Sequence, residues 1–272
     1  MVVYKRLLKT REAFTTDTDD ILIVQPRYLY AFDIGLECLQ NGTTAPTLSE
    51  IAGIINKVQV KLSGKIITEV SGVDLLAFNC LVLGKEPLYT ISANDNEYNY
   101  LHGLKLPVSL PTGEHVLSIR FLYGSATTRD NEKLTLATEE YETAIEEKRY
   151  EIPTFSWTPP STGSFNTALD TTFAGDVEGF LIYSTTIPTT TSNTATVREL
   201  RLVLNGEIAY EGTIDDLRSD AAYPADETLR SICDNYIFLD FRKSPIPSGT
   251  RIEVQIKSDD TNSVRILPIV RV

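Results

Sequence analysis

Val58-Gln-Val-Lys-Leu-Ser-Gly-Lys-Ile-Ile-Thr-Glu-Val-Ser-Gly-Val-Asp-Leu75 aligns without a gap on Leu200-Arg-Leu-Val-Leu-Asn-Gly-Glu-Ile-Ala-Tyr-Glu-Gly-Thr-Ile-Asp-Asp-Leu217. Each copy has apolar residues at alternate positions: Val58, Val60 and Leu62 in the first, Leu200, Leu202 and Leu204 in the second. That period of two marks a strand with one buried face. A polar residue and a glycine follow (Ser63-Gly64, Asn205-Gly206), the signature of a tight hairpin turn, and a second β-rich run leads to Asp-Leu. A further correspondence, at a slightly shorter offset, sets Asn99-Tyr100 through Pro111-Thr112-Gly113 against Asn235-Tyr236 through Pro247-Ser248-Gly249. A repeat this long is a duplicated domain, because solenoid units run to about 20–50 residues.

Working outward, the reading within each half is of about eight short strands with one or two helical inserts, the count of a jelly roll. Ile21–Val24 and Tyr28–Leu36 are strands by their β-branched and aromatic content. Thr47 and Glu50 form a capping box for a short helix that runs to Ile55. Strand-like pieces at 87–91, 98–101 and 104–110 lead to Pro111, and His115–Tyr123 closes the half. The second half repeats the plan with Phe180–Tyr183, the Thr-rich loop 185–196, Tyr236–Phe241, the alternating Ile252, Val254 and Ile256, and a last strand over 264–272. Residues 126–150 are rich in helix formers and read as an exposed helix or extended linker, and Pro159-Pro160 makes 155–163 a connector carrying Trp157, packed between the halves. The domain organisation expected is a basic arm at 1–13, jelly roll 1 at 14–125, a linker with an exposed helix at 126–170 and jelly roll 2 at 171–272. The fold class is all-β, two tandem eight-stranded sandwiches. No Cys-Trp-Cys pattern favours an immunoglobulin-like pair.

The net charge of −12 argues against general nucleic-acid binding, since a phosphate backbone would be repelled. Against this background Lys5, Arg6, Lys9 and Arg11 crowd the first eleven residues, with Tyr4, Leu7 and Leu8 between them. Such a segment is either a solvated terminus or an arm for anionic lipid, nucleic acid or an acidic neighbour. No apolar run reaches the roughly 18 residues of a bilayer span, and the N-terminus has no signal-peptide core.

Chemistry is sparse. Cys38, Cys80 and Cys233 are odd in number and widely spaced, which suits free buried thiols in a reducing compartment, with a single disulfide as the other reading. His102 and His115 form no His-x-His pair, so neither a metal nor an organic cofactor is expected. No nucleophile elbow, phosphate loop or dinucleotide glycine pattern occurs. The carboxylate pairs Asp19-Asp20, Glu139-Glu140, Glu146-Glu147, Asp215-Asp216 and Asp259-Asp260 are sequence neighbours, and neighbours on a strand point to opposite faces rather than across a cleft. Asp74 and Asp216 recur at one place in both copies and read as caps of the turn after the hairpin. Asn41-Gly42-Thr43 is a glycosylation sequon.

Two eight-stranded halves in under 300 residues, each with a Leu-Ser/Asn-Gly-Lys/Glu hairpin and an Asp-Leu turn after it, resemble a known family. It is that of the double jelly-roll major capsid proteins of tailless, membrane-containing icosahedral viruses, the lineage that includes adenovirus hexon. The resemblance covers about residues 20–125 and 175–272. It implies a structural subunit without enzymatic activity, assembled in the host cytoplasm into trimeric pseudo-hexagonal capsomers of the virion. Strands would stand upright, loops at one end would face solvent, and the Lys5 to Arg11 arm would face an internal membrane. Penton and minor capsid proteins would be neighbours, and the 185–196 loop would give only a modest outward projection. Two other readings compete: a carbohydrate-binding or adhesion protein, and, third, a glycan-processing enzyme.

Overall fold

The duplicated hairpins are the same structure in the same place. A computed structural model of the chain describes all residues except 1–2, 13–17, 25–26, 43, 95–96, 112–115, 145–147 and 220–222, and the side chains of Arg11, Glu12 and Ser219. In it β4 (Ile55–Leu62) turns into β5 (Lys65–Val70) through Ser63 and Gly64 at φ 49° and 85°. β14 (Glu199–Leu204) turns into β15 (Glu207–Thr213) through Asn205 and Gly206 at φ 50° and 90°. Both central residues lie in the left-handed region, as a two-residue turn matched to strand twist requires. Each hairpin then carries a β-bulge at the equivalent step, between Val60/Lys61 in one and Leu202/Val203 in the other. A shared turn could be imposed by sterics; a shared irregularity has no such general cause.

The chain divides into two units, Met1–Tyr150 and Glu151–Val272. In the first, β1 (Val3–Glu12), β3 (Tyr28–Gln40), β7 (Tyr98–Leu110) and β9 (Arg129–Tyr141) form one antiparallel sheet in the order β1-β9-β3-β7, and β6 (Leu88–Thr90) adds to the free edge of β7. The other sheet has the order β2-β8-β4-β5, with β2 at Thr18–Ile23 and β8 at Leu117–Tyr123. Short helices α1 (Leu48–Ala52) and α2 (Gly72–Ala77) interrupt the strands, and α2 runs on into a π-helical turn, Phe78–Val82. Leaving the short β6 aside, the first, last, third and sixth strands make one sheet and the second, seventh, fourth and fifth the other. That is a jelly roll.

The second unit repeats this order. After β10 (Tyr150–Glu151), where the units divide, β11 (Phe155–Trp157) lies beside β18 (Val264–Arg271), followed by β13 (Asp176–Ser184) and β16 (Tyr236–Asp240). The facing sheet is β12-β17-β14-β15, with β12 at Phe165–Thr172 and β17 at Arg251–Lys257; α3 (Ile214–Ser219) and α4 (Glu227–Cys233) fill the connections. Alternate strand residues make each core: Phe32, Ile34, Val58, Val60, Leu106, Ile119 and Phe121 in the first unit, Phe180, Ile182, Leu200, Leu202, Val254 and Ile256 in the second, all at most 1 % exposed.

Four expectations are corrected. Within the expected 1–13 arm, residues 3–12 are strand β1, paired with β9 from Val3↔Tyr141 to Glu12↔Lys133. An edge strand buries only part of one face, so its apolar content can be as low as that of a tail. The exposed helix within 126–170 is strand β9: Leu134, Leu136, Thr138 and Glu140 are buried at period two, and two-sided pairing with β1 and β3 overrides the helix propensity of the Glu, Lys and Ala residues between them. Trp157 belongs to β11 and packs, partly buried, against the core of the second unit. The pieces read at 98–101 and 104–110 are one strand with an irregularity at Gly103, whose φ is 81°.

Candidate functional surface

The acids that duplication singled out are caps. Ser71 Oγ accepts from Asp74 N at 3.1 Å and donates to its carboxylate at 2.7 Å; Thr213 Oγ1 does the same for Asp216, at 3.3 and 2.7 Å. Both close a reciprocal box at the start of the helix that follows the hairpin, which is why an acid recurs there. Asp216 is held below the usual carboxylate range by the hydrogen bonds from the Thr213 hydroxyl and amide.

The other carboxylate pairs among the described residues are also engaged. Asp19 accepts from the Tyr123 hydroxyl at 2.9 Å and pairs with Lys9 at 2.9 Å, while Asp20 lies 3.6 Å from both Lys61 and Arg120. Asp259 accepts from Ala195 N, and Asp260 from Thr196 Oγ1 at 3.2 Å, tying down the Thr-rich loop. Glu139 and Glu140 point to opposite faces of β9, as neighbours on a strand must. Glu146 and Glu147 lie outside the described residues.

His102 Nε2 sits 3.0 Å from Glu37 Oε1 and its ring stacks on Tyr100 with centroids 4.9 Å apart; His115 lies outside the described residues. Cys38, Cys80 and Cys233 are free and buried, and burial pushes the Cys38 thiol up to about 12. Among the described residues no group of three His, Cys, Asp or Glu side chains is placed to hold a metal ion. Asn41 is exposed, while Thr43 of its sequon is outside the described residues.

The three described cations of the first strand, Lys5, Arg6 and Lys9, are each paired with a separate carboxylate. Lys5 Nζ pairs with Asp33 at 2.8 Å, and Lys105 bridges Asp33 and Glu139 beside it. Burial acts to raise the pKa of Asp33 and Glu139, but hydrogen bonds from the lysines outweigh it and both end below their ordinary values. Arg6 grips the inner carboxylate Glu140 through Nε at 3.0 Å and Nη2 at 2.6 Å, and Nη2 also donates to Val24 O at 2.7 Å. Lys9 is the partner of Asp19 already described. The backbone of Arg11 pairs opposite Leu134, and its side chain lies outside the described residues.

Sequence reasoning missed a different feature. Leu22, Val24, Val116 and Ile66 are 67, 70, 60 and 44 % exposed, and all lie at one end of the β2-β8-β4-β5 sheet. The signal was available in Ile21-Leu-Ile-Val24: four consecutive apolar residues in a strand with one buried face must put two of them outside.

The architecture defines a class: two jelly rolls of identical strand order in one chain. No family model matches the sequence, and no curated protein is significantly similar to it. Solved structures are. The major capsid protein of Sulfolobus turreted icosahedral virus superposes with a TM-score of 0.77 at 14 % identity, over 100 % of this chain and 97 % of that one. The major capsid protein P2 of bacteriophage PM2 gives 0.62 at 12 % identity, over 100 % and 98 %. The capsid protein VP54 of PBCV-1 gives 0.62 at 10 %, over 99 % and 93 %. The chain has the double jelly-roll fold of these viral major capsid proteins.

Proposed function

We propose that this chain is a structural subunit of a viral capsid, a major capsid protein that assembles as a homotrimer with pseudo-hexagonal outline into an icosahedral shell over an internal membrane. The single observation that carries the reading is full-length likeness in both directions: nearly all of this chain and nearly all of each similar capsid protein take part in the superposition. The acids, histidine and thiols named above are committed to caps, ion pairs and cores, which favours a role without catalysis. No observation favours the carbohydrate-binding reading. Residence in the virion, assembly in the host cytoplasm and contacts with penton and minor capsid proteins follow from the same proposal. So does the inner-membrane contact of Lys5, Arg6, Lys9 and Arg11, although lipid would compete with the carboxylates that hold the first three.

Light scattering and negative-stain microscopy of the purified protein test the reading. A trimer that forms hexagonal particles or sheets is the expected result. A monomer at all concentrations that binds glycans would overturn it.

A further inference from the structure

The chain contains two Asn-Gly pairs, Asn41-Gly42 and Asn205-Gly206. An asparagine before glycine is open to attack on its own side chain, because the amide nitrogen of a residue without a Cβ approaches the side-chain carbon unshielded. In both pairs the glycine has a positive φ, 85° and 90°, and nothing lies within 4 Å of the place a Cβ would take. All four residues are exposed, so access to the two nitrogens is equal. What differs is how each asparagine is held.

Asn205 is pinned. It takes the first central position of the β14–β15 turn at φ 50°, its N–H donates to Arg251 O at 2.9 Å, and its Oδ1 accepts from Arg251 N at 3.1 Å. Its side-chain carbon cannot turn to Gly206 N without giving up the bond from Arg251. Asn41 sits just past the end of β3. Its N–H donates to Thr128 O at 2.9 Å and Gln40 Nε2 donates to Gly42 O at 2.8 Å, so the chain is fixed on either side of the reacting groups. Those groups themselves stay out of the bonding: among the described residues no hydrogen bond engages the Asn41 side chain or the Gly42 N–H.

We infer that Asn41 is a site of spontaneous modification, a succinimide-forming asparagine that ages to aspartate and isoaspartate in the folded protein, while Asn205 is protected by its turn. Gly42 N bonds to Asn41 Cγ, the Cγ–Nδ2 bond breaks, and ammonia leaves with the proton of the Gly42 amide. Water then opens the ring at Cγ, giving aspartate, or at the backbone carbonyl carbon, giving isoaspartate, whose main chain runs through Cβ and Cγ. Either product adds a negative charge to a chain already at −12. Isoaspartate also lengthens the backbone by a methylene directly after the bond from Asn41 N to Thr128 O, which closes the end of β3 onto the start of β9, where Gln40 opposes Arg129. Charge and strain thus accumulate with age at one corner of the first unit. The inference stands apart from the shell reading.

The test follows both Asn-Gly peptides by mass spectrometry, with isoaspartate resolved from aspartate, after incubating the full chain folded and in urea at mildly alkaline pH. In urea the two pairs should convert at similar rates. In the folded protein Asn41 should keep nearly its unfolded rate, while Asn205 slows by at least about tenfold, the effect of breaking the Arg251 bond and leaving the turn before reaction. Asn41→Ser should abolish the acidic species seen on ion exchange without moving the melting temperature. Asn205→Ser, which matches Ser63 at the same point of the first repeat, should leave that species in place. An Asn41 that stays intact in the folded protein, or an Asn205 that converts there as fast as Asn41, overturns the inference.

Discussion

Replacing Arg6 by alanine removes the guanidinium from a carboxylate that has almost no access to water. Glu140 is 1 % exposed, and Arg6 supplies two of its hydrogen bonds. What remains is the Thr138 hydroxyl at 2.7 Å and Arg27 at 3.9 Å from the other oxygen. Stripping one partner from a buried ion pair costs about 3–5 kcal/mol, because the survivor stays desolvated. Arg6 is itself 36 % exposed and the Thr138 bond survives, so the lower end applies. The lost bond to the Val24 carbonyl is included in a total of about 3 kcal/mol.

At roughly 2–4 °C per kcal/mol for a chain of this size, the first unit of Arg6→Ala should melt about 6–12 °C lower. Calorimetry reads the shift, and hydrogen exchange at the β1 and β9 amides assigns it to the correct unit. Lys5→Ala is the control: its partner Asp33 keeps Lys105 at 3.0 Å, so the change should stay within about 0.5 kcal/mol. Arg6→Met with Glu140→Met should recover most of the loss, since removing both charges leaves nothing buried and unpaired. If Arg6→Ala melted within a degree of the parent, the first strand would be an ornament on the fold and the original picture of a detachable arm would be restored.

Deleting residues 1–12 should unfold or severely destabilise the first unit, seen as protease susceptibility at β9, because the ladder of β9 loses one whole side. Asp74→Ala should cost about 1–2 kcal/mol in denaturant melts and the exposed Asp216→Ala about 1 or less, the same capping box differing only in burial. Gly72→Ala should cost more than about 3 kcal/mol, as a Cβ there would come within 2.0 Å of Ala52 O, whereas Gly64→Ala meets nothing and pays only for its φ of 85°. The Lys105 cluster makes a prediction in pH. Depressed carboxylate pKa values at Asp33 and Glu139 contribute stability above their unfolded values near 4 that is lost as pH falls through the folded ones. Burial lowers the pKa of Lys105, the two carboxylates more than offset this, and the raised value contributes stability that is lost only above about pH 10. The destabilisation by Lys105→Met, measured as a urea midpoint, should therefore shrink from pH 7 to pH 3; an undiminished gap would mean the lysine acts by packing alone.

The duplicated hairpin was legible because everything that specifies it is local. Alternation, a two-residue turn and a cap three residues further on lie within 18 positions, and the fold adds only the partner strand β8 or β17. β1 and β9 were not legible for the opposite reason. Each is the other's neighbour across more than 120 residues, and neither carries a face apolar enough to announce itself. Leu134 and Leu136 alternate, but the next two inward positions are Thr138 and Glu140, buried polar groups that bond each other and take two further hydrogen bonds from the distant Arg6. A period-two pattern of hydrophobicity cannot register a strand whose inward residues are charged and paired. The same error then propagated to function. Lys5, Arg6 and Lys9 looked surplus to the core because their carboxylates lay 28, 134 and 10 positions away, and surplus cations invite an external partner. Once the ladder pairs them they no longer call for an external partner, while the exposed Leu22 and Val24 went unnoticed because in the sequence they look like good strand.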